Sequence, residues 1–124
     1  MMNRTELEKY ILTTYGEKPD YPWFEYPDNV VFRHSSNKKW FTLIMSVPKN
    51  KLGLHEKDIL DVVNVKCDPF MIGSLLNETG FFPAYHMNKE NWITIALDGS
   101  VTGEKIKMLL DLSYNATISK VRKN

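Results

Sequence analysis

Cysteine is almost absent: Cys67 is the only one in 124 residues. A single thiol cannot close an internal disulfide, and it cannot supply a cysteine-based zinc cluster. Long apolar runs are missing as well. None approaches the ~20 residues that a membrane-spanning helix needs. The opening Met1-Met2-Asn3-Arg4-Thr5-Glu6 turns polar and acidic at once, so it does not read as a secretory leader. These absences predict a cytoplasmic protein without membrane association. Net charge is nearly missing too, at +1. The chain as a whole lacks the basic excess that marks many nucleic-acid binders. What remains is an ordinary globular composition, 43% hydrophobic and 25% charged. A chain of 124 residues supports one core and not two, so 1–124 is expected to be a single domain.

The small net charge hides a division along the chain. Met1 to Asp28 carries six acids and three bases. Asn29 to His55 carries five bases (Arg33, Lys38, Lys39, Lys49, Lys51) and no acid. From Glu56 to Leu112 acids lead nine to five. Beyond Ser113 come Lys120, Arg122 and Lys123, again without an acid. A near-neutral domain can thus present a basic face to a partner. The same pattern also arises when charges simply keep an edge solvated.

Apolar spacing and turn chemistry divide the chain into elements. Thr5-x-x-Glu8 has the form of a capping box, and Leu7, Tyr10 and Ile11 follow at helical spacing up to Gly16. Pro19, Pro22 and Pro27 exclude a helix in the next stretch. Val30–Arg33 and Lys39–Val47 read as strands around a polar turn, His34-Ser35-Ser36-Asn37-Lys38, which makes a hairpin with a basic tip. In Asp61–Cys67 the residues Val63, Val65 and Cys67 share one face. Asn64 and Lys66 share the other, which predicts one polar side of the sheet. Asp68-Pro69 starts a second helix carrying Met71, Ile72, Leu75 and Leu76, with Gly80 as its stop. Phe81–Tyr85 and Trp92–Leu97 are extended. Ile106, Leu109, Leu110, Ser113 and Tyr114 mark a third helix, capped by Ser100 or Thr102. The expected class is α+β, a mostly antiparallel sheet with helices packed on one face.

Chemistry is harder to find. His34, His55 and His86 are far apart, and no metal-binding histidine spacing occurs. Cys67 follows Lys66 and precedes a helix start, which favours a thiolate. It also continues the apolar face of Val63 and Val65, which favours simple burial. No nucleophile elbow or glycine-rich phosphate loop is present. The stretch Pro83–Trp92 packs Tyr85, His86, Asn88, Lys89 and Asn91 into one connector. It fits a binding loop, and it equally fits a structural turn in which Asn88 or Asn91 caps or takes a positive φ.

Several segments nevertheless match a known pattern in order. They are Val63-Asn64-Val65-Lys66-Cys67-Asp68-Pro69, Pro83-Ala84-Tyr85-His86-Met87-Asn88-Lys89 with Trp92, and Leu97-Asp98-Gly99-Ser100-Val101. Lys39-Trp40-Phe41 and Ser113-Tyr114 fit further positions of the same pattern. On these residues the chain resembles the MmcQ/YjbR family, whose motifs read K-C-D-P, G-Y-H-M-N-K-x-x-W and L-D-G-S-V. Ala84 stands where the family usually has Gly, and Trp40 and Thr42 where it often has Met and Ala. The resemblance implies a frataxin-like, CyaY-like fold and a double-wing DNA-binding arrangement of two β-hairpins. It implies neither an enzymatic activity nor a cofactor.

Two functions follow as expectations. In the first the partner is double-stranded DNA, held by Arg33, Lys38, Lys39, Lys66, Tyr85, His86, Asn88, Lys89 and Trp92. Lysines would hold phosphates, while Asn and His would reach base edges. In the second, a non-enzymatic module binds a small molecule or a protein partner. There Trp23, Phe24, Tyr26, Trp40, Tyr85 and Trp92 would line a pocket, with His86 and Lys89 fixing an anion. A catalytic His86 is a weaker third reading, and a monomer is expected throughout.

Overall fold

The computed structural model describes residues 2–118. In chain order it contains α1 (Arg4–Tyr15), β1 (Val30–Arg33), β2 (Trp40–Pro48), β3 (Ile59–Lys66), α2 (Pro69–Leu75), β4 (Phe81–Pro83), β5 (Trp92–Ala96) and α3 (Gly103–Thr117). A short 3-10 turn, Lys49–Leu52, links β2 to β3. The strands form one sheet in the order β1-β2-β3-β5-β4, and every neighbouring pair is antiparallel. The class is α+β. The basic segment Lys120, Arg122 and Lys123 lies outside the described residues.

All three helices supply the same core. Leu7 and Ile11 of α1, Ile72 and Leu75 of α2, and Ile106, Leu109 and Leu110 of α3 join Ile44, Val63, Val65, Ile93 and Ile95. α1 starts earlier than Thr5. Asn3 Oδ1 accepts from the Glu6 N–H at 2.9 Å, and Glu6 Oε1 accepts from the Asn3 N–H at 3.3 Å. Asn caps as well as Thr does, and this start leaves Arg4 helical. From there its guanidinium reaches Glu8 at 3.1 Å and Ser46 Oγ at 3.1 Å. Asp68 caps α2 as its spacing predicts, accepting from the Met71 N–H at 3.0 Å. The helix then ends at Leu75 rather than at Gly80. Gly80 has another task. Its φ is 94°, and a Cβ there would lie 2.7 Å from Val101 Cγ2. Only glycine lets β4 pass so close to the turn that follows β5.

The second face of the sheet is not polar. Val31, Leu43, Met45, Val47, Leu60, Val62 and Ala96 form a second buried cluster, with Trp23, Tyr85 and Met87 packed against it. The alternation along β3 is as expected, yet Asn64 is fully buried. Its polarity is satisfied inside. Thr94 Oγ1 donates to Asn64 Oδ1, and Asn64 Nδ2 donates to Met45 Sδ at 3.4 Å. Thr94 Oγ1 in turn accepts the Tyr85 N–H at 2.9 Å. A buried polar group paired in this way does not need solvent.

A bulge shapes the start of β2. Phe32 pairs with Thr42 and Arg33 with Trp40, so Phe41 has no partner on β1. The extra residue turns Phe41 into the helix-side core and leaves Trp40 against the second cluster. The β2–β3 ladder also stops at Thr42–Val65. This strands the Phe41 carbonyl and the Lys66 N–H. Buried Ser113 of α3 takes both: its Oγ donates to Phe41 O at 2.5 Å and accepts from Lys66 N at 2.8 Å.

Candidate nucleic-acid interface

The register gathers the candidate residues at one end of the sheet. Thr42 lies opposite Val65, Lys66 opposite Trp92, and Pro83 opposite Ile93. The β1–β2 loop (34–39), the end of β3 and the β4–β5 connector (84–91) therefore share an end. β2 and β5 flank β3, so the two loops spring from positions two strand spacings apart, about 10 Å. Arg33, Lys38, Lys39, Lys66, Lys89 and Trp92 all belong to this end.

The β1–β2 tip is tied down on both sides. His34 is 1% exposed, with its ring between Phe41 and Tyr114. Its Nε2 lies 2.8 Å from Thr117 Oγ1. The Thr117 hydroxyl donates its one proton to the Ser113 carbonyl at 2.8 Å, so it accepts from Nε2–H. Burial pushes the His34 pKa below its ordinary value, while the charge of Glu17 acts the other way. Asn37 Nδ2 donates to Thr117 O at 2.8 Å, and Glu17 accepts from the Ser35 backbone at 3.0 Å. The polar turn read from the sequence is thus partly a buried clamp, with His34 inside it. Lys38 and Lys39 are exposed at the tip, as their position predicts, and Lys38 holds a left-handed φ of 65°. Arg33 is different: it is ion-paired with Asp20 and lies over the Trp40 ring at 5.9 Å.

The connector is not extended. His86 has φ 61°, so the alternation expected to put His86 and Asn88 on one face does not apply. Its first half turns onto the second face through the Tyr85–Thr94 hydrogen bond. Its second half is a turn built by Asn88. The Asn88 side chain accepts from the Glu90 N–H at 2.8 Å, and its carbonyl accepts from Trp92 N at 3.0 Å. Asn91 O then accepts from Cys67 N at 2.7 Å, which ties the connector to β3. Asn88 therefore does the structural work, and the positive φ falls on His86. His86 and Lys89 stay exposed, with the imidazole against the Tyr85 ring at 4.0 Å.

Lys38, Lys39, Lys66 and Lys89 form no ion pair among the described residues. Lys18, which lines a hollow with Lys38, is likewise without an ion pair among the described residues. Trp92 packs against the second cluster, and Trp23, Tyr26, Trp40, Tyr85 and His86 share a cleft on that face. Phe24 is fully exposed, and Lys89 is not in the cleft lining. Cys67 is buried, and burial raises its thiol pKa. Sequence reasoning missed the supports: Ser113, His34, Thr117, Asn64 and Thr94. Asn64, Thr94 and Ser113 are polar residues inside apolar patterns, and that irregularity is their signal; nothing in the sequence marks His34 or Thr117 as buried.

An antiparallel sheet backed by helices, with two hairpins flanking a central strand, defines a small α+β protein class. A family model described as YjbR matches residues 12–116. The chain belongs to the YjbR family. It is 41% identical over 117 residues to an uncharacterised Bacillus subtilis protein, YyaQ, with 94% of this chain and 99% of that one covered. A crystal structure of a Pseudomonas syringae protein superposes with a TM-score of 0.92 at 43% identity, covering 94% of this chain and all of that one. A Deinococcus radiodurans crystal structure, at 23% identity and a TM-score of 0.69, covers 92% of this chain and 77% of that one and shares the fold.

Proposed function

We propose that this protein binds double-stranded DNA through the two hairpin tips, as a binding protein and not an enzyme. One observation carries the reading. The only non-glycine residues with positive φ among the described residues are Lys38 and His86, one in each tip at the same sheet end. A left-handed backbone costs an ordinary residue about 1 kcal/mol or more, and glycine would avoid it. Strain held at two exposed, chemically active side chains points to function at those side chains. Lys38, Lys39, Lys66 and Lys89 contact phosphates, and His86 is the candidate for a base edge. Arg33, Asn88 and Trp92 hold the frame instead: one is ion-paired, one builds the turn and one is packed.

The NMR spectrum of the labelled protein, titrated with a short duplex, tests the footprint. Amide shifts should concentrate in 34–39, 66–67 and 84–91. Shifts confined to the outer surfaces of α1 and α3 would contradict the reading.

A further inference from the structure

The second face of the sheet carries a cleft of about 470 Å³, bounded by the 20–29 segment on one side and the connector on the other. Its size lies within the ~300–1,000 Å³ of small-molecule sites. We propose that this cleft is a binding site for an uncharged, planar heteroaromatic small molecule.

The chemistry of the lining selects that class. No Lys, Arg, Asp or Glu contributes to it, and His86 is its one imidazole. A phosphate or carboxylate ligand would find no counter-charge there, so the ligand is neutral. Trp23 and Trp40 meet at 83° with ring centroids 5.7 Å apart. A flat ring entering this corner can stack on one indole and meet the other edge-on, the two arrangements that aromatic rings favour. Met45 and Met87 also line the cleft, and thioethers suit ring edges and adapt to irregular shapes. The phenols of Tyr26 and Tyr85 and the His86 imidazole bring hydrogen-bonding groups to the same lining, matched to ring heteroatoms. Tyr26 is 60% exposed, so an occupant would cover apolar surface that faces water.

The floor is already built. Leu43 and Met45 are buried on β2, and the Thr94–Asn64 pair below holds Tyr85 in place by its backbone. The site thus needs no folding step to form. None of Lys38, Lys39, Lys66 and Lys89 lines it, and His86 alone is shared with the proposed duplex interface.

The test is a protein-observed NMR titration of the full chain with indole, quinoline and adenine. Cyclohexylmethanol serves as an alicyclic comparator and benzoate as an anionic one. The proposal expects saturable shifts of the Met45 and Met87 methyls and the Trp23 and Trp40 indole N–H groups with at least one heteroaromatic. Cyclohexylmethanol and benzoate should bind more weakly. Tyr26→Ala should weaken the response roughly 2- to 12-fold, the worth of one aromatic pair. Lys38→Glu with Lys39→Glu should leave it unchanged. Absence of saturable shifts with all three heteroaromatics would overturn the proposal, as would an equal response to cyclohexylmethanol. The ring-against-alicycle comparison uses the unmodified chain and does not depend on how any variant folds.

Discussion

Two histidines in this chain have opposite fates. His34 is sealed between Phe41 and Tyr114 and clamps the first tip to α3 through Thr117. Burial lowers its pKa, so the unfolded chain takes up the proton first as pH falls. Its contribution to stability is complete above about pH 6.5 and declines as pH drops through that value. Denaturant unfolding at about pH 7.5 and about pH 5.5 should show a loss of stability on acidification that is smaller in His34→Gln, since glutamine does not titrate. Equal losses would remove His34 from the account. His86 is exposed and sits at φ 61°. His86→Gly should relieve the left-handed strain and stabilise the fold by about 0.5–1 kcal/mol while weakening duplex binding. A clear destabilisation on thermal or chemical unfolding would mean that the imidazole holds the turn.

The elements show which parts of the sequence can be read locally. β1 falls at Val30–Arg33 as its branched and aromatic residues and the polar turn after it predict, and α2 begins at Asp68-Pro69 for equally local reasons. The end of α2 was not legible, because Gly80 answers to Val101 and Ser100, about twenty positions away in the chain. The polar face was misread for a related reason. Asn64 and Thr94 are thirty residues apart, and only the β3–β5 register makes each the other's partner. The bulge at Phe41 is the clearest case. Nothing local marks it, and its unpaired backbone groups are satisfied by Ser113, seventy-two residues later. Ser113→Ala should therefore cost roughly 2–3 kcal/mol, since it strands the buried Phe41 carbonyl and the half-buried Lys66 N–H. Urea unfolding of the variant measures this directly. A loss under about 0.5 kcal/mol, the level of an ordinary surface change, would contradict the role assigned to Ser113.

At the scale of the whole molecule, the near-zero net charge conceals an arrangement that only the fold makes visible. The acid-free window at 29–55 contributes Lys38 and Lys39, but Arg33 from the same window is neutralised by Asp20 and Lys49 by Asp58. Lys66 and Lys89, from an acid-rich part of the chain, come to the same sheet end instead. The motif residues of the connector were legible as a cluster, and their division of labour was not. Only backbone geometry separates Asn88, which builds the turn, from His86, which is displayed by it. The family is likewise legible in the sequence. Its motif residues serve the architecture as much as the surface, as Asp98 accepting from the Ser100 N–H at 3.0 Å illustrates.

If Lys38, Lys39, Lys66 and Lys89, which form no ion pair among the described residues, each neutralise a phosphate, the proposal implies a specific salt dependence. Each phosphate neutralised contributes about −0.9 to the slope of log K against log salt, so four give about −3.6. The most direct measurement is duplex affinity by fluorescence anisotropy across a salt series, for the unmodified protein and for Lys38→Glu with Lys39→Glu. Binding should be micromolar or weaker and fall roughly 100-fold between about 50 and about 200 mM salt, and the double variant should lose about half the slope together with most of the affinity. Binding that ignores both salt and these substitutions, or no binding at low salt, would contradict the proposed interface.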